Sequence, residues 1–459
     1  MRRLFLALST FTFAALVLAG CGGDAVATTT PAATAPAAAT VAATRATTTA
    51  ATGATATPAA ASSATGGAAT SAPIVPATTG AAATAATAAV TQAAAAAPAM
   101  GGTIRIGMIA SLTGPYNPLG TANKQAADLV TKQVNDAGGI NGAKIELMVE
   151  DDKSDPSQGP IALKKLLSNK IVALIGPVFS STCLALYDDE DAAKIPTINQ
   201  CATDANVTPS IRPYIFMTPP TATVQAKQVV AYLKAQGKTK VTVMHDSTDY
   251  GNTGWNALKT EAPKSGITVD EQLYELTGTT FVPQLTKIKN SDTQALVSWG
   301  SGGAAVIITK EFRQLGLTIP LVFSAAQSTP LYTKPAGDAA NGVVLASGLG
   351  PVGKSLPADN PSKPIIAKFD TDFMAAYNSA PPEFAYNTFS AMNMLYNTIR
   401  KVGTDSQKIR DDLEKTTYVG ADGTYRYSST DHAGLGLDSV LMATVKDGQF
   451  VLTPFSGGK

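Results

Sequence analysis

Between Thr103 and Phe323, short apolar runs alternate with amphipathic stretches so regularly that few architectures can accommodate the chain. Thr103-Ile104-Arg105-Ile106-Gly107-Met108-Ile109-Ala110 opens with strand alternation and ends as a continuous apolar run. The spacing predicts a helix over about 120–136, closed by Gly138-Gly139 where a left-handed C-cap is wanted. A strand over Lys144 to Glu150 follows, with a helix through Ile161 to Leu167. Ile171-Val172-Ala173-Leu174-Ile175-Gly176 then runs without one polar side chain. A strand of that kind is covered on both faces, as in a parallel sheet flanked by helices. The pattern restarts near Thr221, with a helix carrying Val224, Val229, Val230 and Leu233 ahead of the strand Lys240 to His245. Helix–strand units at about 252–265 and 267–275, 282–291 and 294–299, and 303–315 and 319–323 continue it. Two such blocks of similar length predict an α/β protein of two doubly wound, Rossmann-like lobes. Ligands of these folds gather beyond the carboxyl ends of the strands. The loops to read are therefore 111–119, 176–182, 199–206, 246–254, 299–304 and 324–330.

The residues ahead of Thr103 have a different physics. Met1-Arg2-Arg3 is basic, Leu4 to Leu18 is apolar, and Leu18-Ala19-Gly20-Cys21 follows, which is the order of a secretory signal peptide over 1–20. An apolar stretch of about 17 residues is at the short limit for a membrane span. Small residues before a cysteine here resemble a bacterial lipobox, which implies export and a lipid anchor on Cys21 at the outer face of the cytoplasmic membrane. Residues 21–101 are mostly Ala, Thr, Pro and Gly; beyond Cys21 their only charges are Asp24 and Arg45, and they hold no aromatic residue. Such a segment buries too little apolar surface to offset its ordering entropy, so a disordered tether spanning ~50 Å is expected. With Cys21 acylated, Cys183 and Cys201 remain, and an oxidising compartment permits them to pair. The formal net charge of +1, with no basic stripe, argues against a nucleic-acid partner.

Catalytic patterns are missing from the body. His245 ends a strand and His432 lies in a polar turn, so structural roles are expected for both. No serine is flanked by the glycines of a nucleophile elbow, and neither C-x-x-C nor H-E-x-x-H occurs. Asp151, Asp152 and Asp155 lack the calcium-loop pattern and read as a capping cluster in a solvated loop. Gly300, Gly302 and Ala305 spell the G-x-G-x-x-A of a dinucleotide turn, yet the following strand ends in Ser324-Ala325-Ala326-Gln327 without the acid a ribose needs. Those glycines read as a tight turn with close backbone approach. No catalytic residue, metal ligand or cofactor is expected.

Hydroxyl loops at strand ends are what remain. Gly176-Pro177-Val178-Phe179-Ser180-Ser181-Thr182 runs from a buried strand into a helix near Cys183 to Ala193, whose free N–H groups can hold a carboxylate. Pro196-Thr197-Ile198-Asn199 leads to a second such loop, Gln200-Cys201-Ala202-Thr203-Asp204. Capping by Ser180 and Thr203 is the simpler explanation of either loop alone; two neighbouring ones favour binding.

The chain from about Thr103 to Phe455 resembles the leucine/isoleucine/valine-binding family of ABC-importer receptors, with the type I periplasmic-binding fold. The matching stretches are IGMIASLTGPYNPLG, NDAGGINGAKIELMVEDDKSDP, IGPVFSST, IPTINQCATDANVT, HDSTDYGNTG and GDAANGVVLAS. The resemblance implies a hinged pair of lobes, about 102–221 plus 347–432 and about 222–346 plus 433–457. It implies a small-molecule solute held by Ser180, with Ser181 beside it, for the carboxylate, and by Cys201, Ala202 and Thr203 for the backbone. Tyr250 would reach across from the second lobe, and Phe384 would line the side-chain pocket, with Tyr386 a lesser candidate. The chain would act as a monomer that hands its solute, a branched-chain or hydrophobic amino acid or a related organic acid, to a membrane permease with a cytoplasmic ATPase; a sensor of the same fold for an amide or aromatic acid, without transport, is the alternative. In relatives an aromatic residue occupies the position that falls on Gly302, and the acid facing the ligand ammonium falls on Ala325. No Asp or Glu lies between 324 and 330, so either Asp249 or Glu383 substitutes or the ligand lacks an amine. The family's usual disulfide positions hold Ser154 and Phe179, so that bridge is absent; Cys183 and Cys201 sit on neighbouring βα units and are expected to pair and brace the two hydroxyl loops, two buried thiols being the alternative.

Overall fold

The computed structural model describes residues 101–203 and 212–458. The signal peptide, Cys21, the tether up to residue 100 and positions 204–206 of the second hydroxyl loop lie outside those residues.

The first block folds as β1 (Thr103–Ala110), α1 (Asn117–Asp136), β2 (Lys144–Asp151), α2 (Gly159–Ser168), β3 (Ala173–Ile175), α3 (Ser180–Ala193), β4 (Thr197–Asn199) and β5 (Ile215–Met217). These strands form one parallel sheet in the order β2-β1-β3-β4-β5. β3 is shorter than the apolar run that announced it. Only Ala173–Ile175 pairs with neighbours, while Lys170 (φ 57°) and Gly176 (φ 86°) turn the chain into and out of the sheet. α3 starts earlier than expected. Phe179 is extended, and the Cys183 N–H already donates to the Phe179 carbonyl (3.0 Å). Ser180, Ser181 and Thr182 therefore form its first turn, where N–H groups have no intrahelical acceptor.

The second block contributes α4 (Ala222–Ala235), β6 (Lys240–Asp246), α5 (Asp249–Glu261), β7 (Thr268–Tyr274), α6 (Val282–Lys289), β8 (Ala295–Trp299), α7 (Ala304–Gln314), β9 (Leu321–Phe323), α8 (Pro330–Ala336) and β10 (Val344–Ser347). The chain then supplies α9 (Lys363–Tyr377), α10 (Glu383–Val402), α11 (Ser406–Leu413) and the small hairpin β11 (Thr417–Val419) and β12 (Thr424–Arg426). α10 lies along α1, with Ala391, Leu395 and Ile399 in the apolar core of the first sheet and Thr131 Oγ1 hydrogen-bonded to Tyr396 (2.8 Å). Finally β13 (Leu441–Lys446) and β14 (Gln449–Leu452) return to the second sheet, whose order is β14-β13-β10-β9-β8-β6-β7. Their antiparallel pairing makes that sheet mixed.

Both sheets repeat one plan. The first five strands of each, in chain order, are arranged 2-1-3-4-5, so each sheet reverses direction between its first and third strands. The crevice beyond that reversal is where an open α/β sheet binds ligands. The first sheet's crevice is bounded by the loops after β1 and β3, and the second's by the loops after β6 and β8.

Candidate functional site

A cavity with about 540 Å³ of atom-free space, counting its mouth, opens where these two crevices meet. Tyr116 comes from the loop after β1, and Val178, Phe179 and Ser180 from the loop after β3 and the start of α3. Tyr250 comes from the first turn of α5 and Ser301 from the loop after β8. α3 and α5 also touch across the cleft. The remaining walls are largely apolar, including Leu119, Ala202, Pro219, Pro220, Ala325 and Phe384. No lysine or arginine is among the lining residues.

The polar groups are held by their own partners. Gln200, a wall residue, accepts from Asn123 Nδ2 and Thr388 Oγ1 on its Oε1, while its buried Nε2 has no partner. Gln225 donates to the Pro220 carbonyl (3.0 Å) and accepts from the Ala325 N–H (3.2 Å), fixing the loop after β9. The Tyr116 ring packs on Phe179 (4.3 Å between centroids), and its hydroxyl faces Ser301, Thr248 and Asp246 on the opposite lobe. Burial first, and the Asp246 charge second, push that hydroxyl's pKa up to about 12. Burial likewise raises Tyr250 well above the usual tyrosine range. Asp246 is itself raised by burial although Thr248 and the Ser301 N–H (3.2 Å) donate to it.

Glu383 occupies the first turn of α10, and its carboxyl lies against Gly348, where even a Cβ would come within 2.4 Å of Oε1. Oε2 is buried with no partner. Burial, and then the charge of Asp422, raise Glu383 well above the usual carboxylate range. Asp422 is also raised by burial but accepts from Asn387 (2.8 Å), Ser390 (2.8 Å) and Tyr425 (3.0 Å).

Of the residues singled out in the sequence, Ser180, Ala202, Tyr250 and Phe384 line this cavity. Cys201 and Thr203 are buried on either side of Ala202 without being part of the wall, and Ser181 is half-buried one position further along α3. Gly302 lines an adjoining apolar chamber that shares Leu119, Ala326 and Phe384 with the first. Nothing lies within 4 Å of where its Cβ would be, and its φ of 75° suits glycine. Gly300 has a different reason: a Cβ there would sit 2.1 Å from the Tyr274 hydroxyl and 2.7 Å from Asp246. Of the two acids proposed to replace the missing one, Glu383 lines the cavity and Asp249 does not. Tyr386 is buried against Gly350 and donates to Asp370 (2.6 Å), away from the wall.

Cys183 and Cys201 form a disulfide with Cα atoms 6.7 Å apart, tying the first turn of α3 to the chain leaving β4. Ser154, at the position of the family's other bridge, donates to the Thr113 carbonyl (2.7 Å) and accepts from the Tyr116 N–H (3.1 Å), so it shapes the loop that presents Tyr116. Asp151 accepts from Leu112, Thr113 and Lys153, and Asp155 caps the short turn at Ser157. His245 contacts Glu271 (3.0 Å), while His432 bonds the Ile215 carbonyl (2.9 Å) and stacks on Phe216. Sequence reading passed over Tyr116, Gln200, Gln225, Ser301 and Asn387 as wall residues. All but Asn387 lie on or beside the loops and the restart helix already marked, so their positions were available although their directions were not.

Two doubly wound lobes that share one cavity between their crevices define the class of two-lobed solute receptors with the type I periplasmic-binding fold. Residues 103–449 match the family of periplasmic binding proteins, and the chain belongs to that family. It is 26% identical over 334 residues to Leu/Ile/Val-binding protein homolog 3 of Brucella melitensis, covering 71% of this chain and 88% of that protein. It is 25% identical over 322 residues to the leucine-, isoleucine-, valine-, threonine-, and alanine-binding protein of Pseudomonas aeruginosa, covering 69% and 83%. An extracellular ligand-binding receptor from Rhodopseudomonas palustris superimposes with a TM-score of 0.72 at 25% identity, over 76% of this chain and 99% of that one. The family binds solutes for ABC importers and is not a family of enzymes.

Proposed function

We propose that this chain is the receptor of an ABC importer that captures a small, carboxylate-bearing and largely apolar solute between its lobes and presents it to a membrane permease. The observation that carries the reading is the wall itself. The first turn of α3, with Ser180, and the unpartnered Gln200 amide supply donors to a cavity that is largely apolar and lined by no lysine or arginine. A carboxylate fits such donors through charge-assisted bonds without a buried cationic side chain. Ser180 and Ser181 hold the carboxylate, the Cys201-Ala202-Thr203 segment holds the solute's backbone, and Tyr250 crosses from the opposite lobe. Phe384 and the space at Gly302 set the length of the apolar portion. The solute favours the closed state only through contacts better made there. Relatives named for leucine, isoleucine and valine support an amino acid or its organic-acid counterpart. The leader over 1–20, followed by Cys21, supports an exported, lipid-anchored receptor.

The test is a thermal-stabilisation screen against hydrophobic amino acids, their keto acids, aromatic acids and the matching amides. Stabilisation by carboxylates and none by amides is expected. Ser180→Ala should weaken the best carboxylate by about 10- to 100-fold, the loss of one hydrogen bond to a charge. A protein that ignores every carboxylate, or that binds amides as well as acids, contradicts the reading.

A further inference from the structure

The site holds an ionisable acid that the protein satisfies on one oxygen only. Glu383 lines the cavity, is 4% exposed, and keeps Oε2 without a hydrogen-bond partner, while Oε1 rests on the Gly348 backbone. A buried polar atom left unpaired is costly, so an unfilled position of this kind beside a cavity marks where a ligand donor belongs. The groups facing Glu383 are Asp422 from the turn between β11 and β12, Tyr250 from α5 and Tyr386 from its own helix, with Asp370 of α9 behind Tyr386. None of them is a cation, and no lysine or arginine lines the cavity. Glu383 is thus without a positive partner until one arrives with the ligand, although its place in the first turn of α10 favours the ionised form.

Resting on the proposed capture of a carboxylate-bearing solute, we propose that Glu383 receives the ammonium group of an amine-bearing solute and gives up its own proton to solvent as that solute binds. The step balances simply. The carboxyl O–H bond breaks, the proton leaves to the buffer, and the resulting carboxylate accepts an N–H of the ammonium. Burial and the Asp422 charge raise Glu383 well above the usual carboxylate range against the opposing Gly348 backbone hydrogen bond, which favours the neutral acid before the solute arrives and agrees with this order of events. A solute with a carboxylate and no amine leaves the proton in place, because a second ionised acid beside Asp422 would face an anion. The position after β9, now Ala325, is therefore relieved of any charged role, and the acid reaches the site from α10 instead.

The experiment is calorimetric titration of the exported form of the chain at neutral pH with L-leucine, L-phenylalanine and their keto acids. Each is run in phosphate and in Tris, whose ionisation enthalpies differ widely. The buffer dependence of the heat counts protons exchanged. About one proton released per amino acid bound, and close to none per keto acid, is expected. In Glu383→Gln, checked for folding by its circular dichroism and melting temperature, the proton release disappears. The ratio of amino-acid to keto-acid affinity in that variant falls at least about tenfold, the loss of one charge partner. An amino acid that binds without releasing a proton, or a release that persists in Glu383→Gln, overturns the inference. Binding of keto acids with refusal of both amino acids also overturns it and leaves the solute-capture reading intact. Refusal of all the probes removes both.

Discussion

Breaking the Cys183–Cys201 bond should cost the first lobe a calculable part of its stability. The bond spans 18 residues and joins α3 to the chain leaving β4. In the chain-entropy account, closing a loop of that length in the unfolded state is worth ~3 kcal/mol, a factor of roughly 200 in the folded-to-unfolded ratio. For a protein of this size, with a urea slope of ~3 kcal/mol per molar, the midpoint should fall by ~1 M. The assay is urea unfolding followed by circular dichroism, with and without a phosphine reductant, on the wild type and on Cys183→Ala/Cys201→Ala. The double variant should unfold near the reduced wild type and ignore the reductant, since Cys183 and Cys201 are wholly buried and alanine exposes no new polar group. Intact mass should rise by two hydrogens on reduction. A wild-type midpoint that moves by less than about 0.3 M, with the mass change complete, would refute the entropic argument.

Glu190 of α3 is fully buried and burial pushes its pKa up to about 8, with the Asn199 amide only 3.4 Å away to offset it. A raised carboxyl favours the fold at low pH, and that contribution is lost as pH rises from the ordinary Glu range towards 8. Glu190→Gln should therefore be more stable than wild type at pH 9 by a few kcal/mol, with the gap closing near pH 4, in paired melting curves. Gly300→Ala forces a methyl group against Tyr274 and Asp246 and should cost about 1–3 kcal/mol; adding Tyr274→Phe should recover part of it, and additive losses in the double variant would argue against the contact. Phe384→Ala joins the two chambers and should shift preference towards longer apolar carboxylic acids, read as a changed ratio of dissociation constants for short and long members of one series.

The βα rhythm was legible because periods of two and 3.6 residues, with Gly and Pro between them, are local properties of the chain. The same rhythm marked the loops that carry Tyr116, Ser180, Ala202, Tyr250 and Ser301, since strand ends lie where ligands collect. What the rhythm could not contain was partnership across distance. Asn123 and Thr388 meet on Gln200 from positions 77 and 188 residues away, and that meeting occupies the amide oxygen while the nitrogen stays without a partner. Asp249 and Glu383 were equal candidates by neighbourhood, and only the fold of α10 onto α1 separates them. The hairpin of β13 and β14 carried a local signal, the Asp447-Gly448 turn between them, but its pairing with β10, about a hundred residues earlier, carried none.

That late return has a consequence for how the protein is made. The second sheet gains its β14 edge only when residues 449–452 have been synthesised, although its first strand, β6, was finished some two hundred residues earlier. The first lobe waits as well, because α10 and the β11–β12 hairpin that cover it come after the whole second block. Neither half can mature on the ribosome as an independent unit, in contrast to chains whose domains are completed one after another. Were such a chain to cross a membrane before folding, that order of assembly would keep it open until its last strand had been made.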